Sequence, residues 1–252
     1  MKIFNYKKNI KYKIEHINSK DIILHHHLGL GDHITCCGLV NCISETFDHI
    51  FLPVFKKNYE IVDYMYKNNK KVNLFQIDSN DEFSEINKFS KKNKLEVLRV
   101  GFEKLSIPIQ ESFYTQLGLS YSVSSDYFNV PYDENMNKKL EEHLFEYYKC
   151  KEDYSVLHLE GSNVNFNKTD LKFKNLGDVV YIEKETDIFK NIFYYLDILK
   201  NAKEIHCINS SFFCLVERVP TTGKLFFHNL KREHNVKNVT SFYKDWIFVD
   251  YD

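Results

Sequence analysis

The feature that most constrains this chain is an alternation of short apolar runs with segments of helical period. Asp21-Ile-Ile-Leu-His-His-His27 reads as a buried strand, and residues 33–46 follow with Ile34, Cys37, Leu39, Val40 and Ile43 at helical spacing. Strands at 49–54, 72–77 and 95–100 then alternate with helices at 57–68 and 81–92. Apolar runs of strand length that alternate with helices of 10–15 residues mean βαβ units and a parallel sheet. The order breaks between about 101 and 135, where Pro108, Gly118 and Pro131 lie, with a short helix expected at 111–117. A helix at 138–149 opens a second series. Strands at 154–159, 179–183, 204–208, 224–228 and 246–250 are interleaved with helices at 187–201, facing inward through Ile188, Ile192, Tyr195, Leu196 and Leu199, and at 210–218. The expected fold class is α/β: two Rossmann-like halves with parallel sheets, residues 1–132 and 133–252, meeting near 130–137 and facing a cleft that would take the ligand.

Composition removes several function classes. Thirty-four basic against 35 acidic residues leave a net charge of −1, so electrostatic capture of nucleic acid is disfavoured, and the Lys-Lys pairs read as solvated surface. No apolar run approaches the roughly 18 residues of a membrane span, and the basic N-terminus is not followed by the apolar core of a secretory signal. A cytoplasmic location without a transmembrane segment is the expectation. The six cysteines show no framework and no Cys-x-x-Cys pair, so they read as small buried hydrophobes in a reduced protein.

Glycine is scarce, with eight in 252 residues, yet Gly29, Gly31 and Gly38 share one ten-residue stretch. In His25-His-His-Leu-Gly-Leu-Gly-Asp-His33 a strand runs into a glycine turn and then a helix. Such a turn presents backbone N–H groups to an anion or polar ligand, and Gly29 and Gly31 are expected to permit positive φ and close backbone approach. Asp32 falls at or near the helix cap, where it is either a functional carboxylate or only an N-cap. The third glycine of a dinucleotide fingerprint and the Gly-Lys-Ser/Thr of a Walker loop are both missing. A second strand-to-helix turn, Asn209-Ser210-Ser211, offers hydroxyls and first-turn N–H groups to phosphate oxygens, or simply caps a core of Phe212, Phe213, Leu215 and Val216.

Together the two turns resemble the GT-B glycosyltransferases, loosely the ADP-heptose–lipopolysaccharide heptosyltransferases and their uncharacterised phage and bacterial relatives. The resembling pieces are Gly29-Leu-Gly-Asp-His-Ile34 and Leu196-Asp-Ile-Leu-Lys-Asn-Ala-Lys-Glu-Ile-His-Cys-Ile-Asn-Ser-Ser211. The resemblance implies an acceptor-side first half with Asp32 as general base and Gly29 and Gly31 as its loop. It implies a donor-nucleotide second half with Asn209, Ser210 and Ser211 at the diphosphate. The chain departs from those enzymes where they present Lys or Arg after the first strand of the second half. Here stand Glu160, Gly161, Ser162 and Asn163, so a cation must come from Lys168, Lys172, Lys231 or Arg232.

The implied reaction moves a sugar from a nucleotide-diphosphate donor to a hydroxyl of a glycan, lipid-glycan or protein, with inversion and with no metal or cofactor. His27, His33 and His158 are further candidates for the cleft. Two alternatives remain. His25 and His27 share a strand face and, with His33, Asp32, His158 and His206, could belong to a metal-dependent hydrolase. The chain could also be a non-catalytic nucleotide- or sugar-binding protein of the same fold.

Overall fold

The computed structural model describes residues 10–78, 81–103, 108–161, 166–173, 176–230 and 240–251. Within them the apolar runs fold as ten strands, β1 (Ile10–Lys11), β2 (Asp21–His25), β3 (His49–Phe55), β4 (Val72–Ile77), β5 (Glu96–Arg99), β6 (Tyr154–His158), β7 (Asp178–Tyr181), β8 (Glu204–Cys207), β9 (Lys224–Asn229) and β10 (Trp246–Asp250). They form two five-stranded sheets, ordered β1-β5-β2-β3-β4 and β10-β9-β8-β6-β7, and every pairing is parallel. Ile22, Ile23 and Leu24 of β2 are fully buried, as expected of a strand covered on both faces. The helices are α1 (Leu30–Ile43), α2 (Tyr59–Tyr66), α3 (Glu82–Asn93), α4 (Ile109–Thr115), α5 (Val123–Asp126), α6 (Glu134–Tyr148), α7 (Leu196–Asn201) and α8 (Ser211–Val216).

The chain divides into two compact units. One runs up to Pro131 and is joined by Thr240 and Ser241; the other holds the remainder from Tyr132. The return of Ser241 to the first unit has no signal in the sequence. Its N–H donates to Gln110 Oε1 (3.2 Å) and its hydroxyl to Glu111 Oε1 (3.0 Å), both on α4.

Two contacts fix α1 in the first unit. The Tyr114 hydroxyl donates to Thr35 O (2.5 Å) and accepts from Leu39 N–H (3.2 Å), the two groups that a regular helix pairs directly. One turn on, α5 packs so closely that a Cβ on Gly38 would lie 2.3 Å from Val123 O. The third glycine of the cluster is therefore a packing position.

The segment 187–201 departs from the expected helix. Lys190 has φ 53°, and the Asp187 carboxylate accepts from the N–H groups of Phe189 and Lys190. Helix starts only after Asn191, as a 3₁₀ turn over 192–195 that leads into α7. A left-handed residue ends any helix before it, and Ile188, expected inside, is half-exposed.

Candidate functional site

The strand orders fix where each unit can present a ligand site. In the first sheet the chain moves outward from β2 through β3 and β4, then crosses to β5 on the other side of β2. The second sheet does the same from β6 to β7, then crosses to β8. Each reversal leaves a crevice outside the carboxyl ends of the diverging strands, which is where open parallel sheets bind ligands.

At the first reversal, β2 runs into α1 through the glycine turn. The helix starts at Leu30, three residues earlier than its periodicity suggests, with Gly29 as N-cap. Gly29 has φ −63° and ψ 150°, and Gly31 lies inside α1, so neither adopts the positive φ expected of it. The reason for glycine is space. A Cβ on Gly29 would sit 2.7 Å from Asp32 Oδ2. Asp32 is the third residue of the helix, and its carboxylate folds back to accept from the Gly29 N–H, the acidic half of a capping box. The capping alternative thus has real geometry, one turn into the helix and not at its N-cap.

The carboxylate is more than a cap in its electrostatics. Asp32 is half-buried with protein packed closely about it, and burial pushes its carboxyl above the ordinary range, opposed by the charge of His27 and by the Gly29 N–H. His27 is held across the reversal itself. Its Nε2–H donates to Gly101 O, the residue after Val100 at the end of β5, at 2.9 Å, and its ring stacks on Phe102. That bond fixes the orientation of the ring, with Nε2–H as its donor.

His25 is deeper. Its Nδ1 accepts from Arg99 Nε (3.1 Å), its Nε2 faces Glu82 Oε1 at 3.6 Å, and burial with Arg99 beside it lowers its pKa to about 2. Phe83 and Phe102 flank the Arg99 guanidinium. This Arg99–His25–Glu82 group has no signal in the sequence, because its members lie on three separate elements.

His33 is misplaced by the sequence reading. Since α1 begins at Leu30, His33 turns inward in the first helical turn. It is fully buried, lies edge-on to His26 at 4.7 Å, and burial holds its pKa well below the ordinary value. It lines no crevice.

At the second reversal, His158 ends β6 and Ser210 caps α8. His158 Nδ1 and Ser210 Oγ are 3.3 Å apart, and the same oxygen accepts from Phe213 N–H at 3.3 Å. The His158 ring stacks on Phe212, and burial lowers its pKa to about 4, so the ring is neutral near pH 7 and shares a hydrogen bond with the Ser210 hydroxyl. Asn209 and Ser211 are half-buried beside it. The structure thus joins His158 to the Asn209–Ser211 turn.

Of the four candidate cations, the two among the described residues are engaged elsewhere. Lys168 Nζ pairs with Glu183 (2.6 Å) over the Tyr181 ring, and Lys172 Nζ donates to Asp250 O (2.5 Å) beside Tyr251. Both are spent on internal partners. Lys231 and Arg232 lie outside the described residues. His206, offered as a possible metal ligand, is instead buried against His228 (2.9 Å), which bonds to the Tyr251 hydroxyl (2.7 Å). Among the described residues no group of three His, Cys, Asp or Glu is placed to hold a metal ion. With His25 committed to Arg99, the arrangement does not favour the hydrolase alternative. Among the same residues no helix is long and apolar enough to cross a membrane.

No family model matches the chain, and no curated protein matches it. Among solved structures it is similar to the crystal structure of the glycosyl transferase family 9 from Veillonella parvula. The two are 9% identical, over 92% of this chain and 86% of that one, with a TM-score of 0.59. At that identity the likeness is one of fold, and the chain has a GT-B-like α/β fold of two Rossmann-like units.

Proposed function

We propose that the chain is a glycosyltransferase that moves a sugar from a nucleotide-diphosphate donor to a hydroxyl acceptor. The observation that carries this reading is Asp32. It is a carboxylate with a raised pKa, outside the carboxyl end of β2 at a topological reversal, in a fold shared with a glycosyltransferase. A raised pKa suits a general base, because a carboxylate closer to neutral in basicity takes a proton more readily. Asp32 removes the acceptor proton as the hydroxyl oxygen attacks the anomeric carbon. The bond from that carbon to the diphosphate oxygen breaks, the nucleoside diphosphate leaves with the electron pair, and the centre inverts. His27 positions the carboxylate and steadies its charge.

The second reversal is assigned to the donor. Ser210 is committed to His158 and to its own helix, so Ser211, Asn209 and the first-turn N–H groups of α8 are the diphosphate contacts, with Lys231 and Arg232 as the added cations. Gly29 and Gly31 serve the loop, Gly29 by making room for Asp32. The acceptor is a glycan, lipid-glycan or protein hydroxyl, and the enzyme works in the cytoplasm. Calorimetric titration with nucleoside diphosphates tests the donor half. Ser211→Glu keeps the fold, since an acid in the first turn complements the helix dipole, but it puts a like charge where the phosphate lies. It should abolish binding. Unchanged affinity in that variant means that the phosphate binds elsewhere.

A further inference from the structure

The first unit carries a second concavity, far from Asp32. It lies at the other end of α1, between Asn41, Ser44 and Glu45, the end of α2 with the turn Asn68–Lys71, and the segment Asp126–Asn129 that begins at the last residue of α5. Asn41 lies nine residue steps along α1 from Asp32, which is about 14 Å along the axis. Its volume, about 640 Å³, is within the range of small-molecule sites.

The floor is a closed hydrogen-bond network. Asn69 Nδ2 donates to Asn41 Oδ1 (2.9 Å), and Asn41 Nδ2 donates to Tyr127 O (3.1 Å). Lys71 Nζ donates to Ser44 O (2.7 Å) and Phe47 O (3.0 Å), so its charge is turned away from a ligand. These bonds hold the shape without a ligand, which lowers the cost of binding one. Asn68, Asn129 and the half-exposed Tyr127 complete the lining.

Their chemistry selects among ligands. Glu45 and Asp126 stand near Tyr127 while Lys71 is turned away, so no cationic field recruits an anion to this groove. An amide offers both donor and acceptor, which matches a hydroxyl that is also both. A tyrosine ring adds an apolar face with a polar tip. We propose that this groove binds a neutral saccharide. The site is separate from the transfer reaction and does not depend on it.

The test is saturation-transfer NMR on the whole chain with maltose, lactose and N,N′-diacetylchitobiose, with inorganic phosphate competing. At least one disaccharide should receive saturation, unaffected by phosphate. Tyr127→Ala and Asn68→Ala, both at exposed or groove-edge positions, should each weaken its affinity by about threefold to tenfold, as expected for one lost hydrogen bond or ring contact. Asp32→Asn should leave it unchanged. The proposal is overturned if none of the three receives saturation, if phosphate displaces the sugar, or if the signal depends on Asp32 and not on Tyr127. Thermal melts of each variant confirm that a lost signal is not lost fold.

Discussion

Gly29→Ala separates the position of Asp32 from the stability of the fold. Gly29 has ordinary extended dihedrals that alanine adopts without strain. Alanine lowers the entropy of the unfolded chain, worth about 0.4–1 kcal/mol in its favour, and loses roughly 0.5–1 kcal/mol as a poorer N-cap. The net of these two effects is therefore small, within roughly ±0.5 kcal/mol. The new methyl is different, because it lies 2.7 Å from Asp32 Oδ2. To restore ordinary contact the carboxylate must retreat by roughly 0.5–1 Å, away from the Gly29 N–H that it accepts from. Displacement of a reacting group on that scale costs up to about 10²-fold in rate. The assay pairs urea unfolding with the release of nucleoside diphosphate from a panel of nucleotide sugars. The expected outcome is a stability loss of no more than about 1–2 kcal/mol, from the weakened Asp32–Gly29 cap, and a rate lower by about 10- to 100-fold. A variant with parental rate, or one that loses several kcal/mol, refutes the reasoning that Gly29 exists to seat this carboxylate.

Other perturbations follow from the same contacts. Tyr114→Phe removes a hydroxyl that serves Thr35 O and Leu39 N–H, so urea unfolding should show a loss of about 1–3 kcal/mol with unchanged m. Gly38→Ala drives a methyl into Val123 O, a backbone atom, and should cost about 1–3 kcal/mol by the same assay. Burial holds the imidazole pKa at about 2 for His25, 4 for His26 and His206, and 3 for His228, against 6.5 when unfolded. The unfolded chain binds those protons first, so stability is full above 6.5 and falls as pH drops below it, by up to about 1.4 kcal/mol per pH unit for each histidine. Urea midpoints should hold near pH 7.5 and fall increasingly steeply from about pH 6.5 to 5.5. The raised Asp32 and Glu217 carboxyls act in the opposite sense toward the acid end, and a flat profile above pH 5.5 contradicts the buried neutral histidines.

Much of the framework is legible in the sequence because parallel strands buried on both faces are continuous apolar runs. Val72–Ile77 and Trp246–Asp250 fold with the expected bounds. Helix beginnings are less legible, since they depend on capping as much as on periodicity. Apolar spacing starts α1 near residue 33, but the Asp32 carboxylate returning to Gly29 starts it at Leu30. That three-residue difference turns His33 into the core. Distant pairings leave no trace in a single sequence. Nothing around Gly101 announces that His27 will bond to it, and nothing around Ser210 announces His158. Two of the four cations expected for a diphosphate, Lys168 and Lys172, are engaged elsewhere for a similar reason, because they find Glu183 and Asp250 O, each remote in sequence.

The central claim, that Asp32 is the base of a sugar transfer, is tested most directly by Asp32→Asn. Asparagine keeps the size of the side chain and the acceptor for the Gly29 N–H, so the helix start is retained, but it cannot take a proton. Transfer should be measured from the nucleotide sugar that wild type uses, alongside calorimetric affinity for the corresponding nucleoside diphosphate. The account predicts transfer lower by at least about 10²-fold with nucleotide affinity unchanged. Transfer at the parental rate by the asparagine variant would contradict it and return Asp32 to the role of a cap.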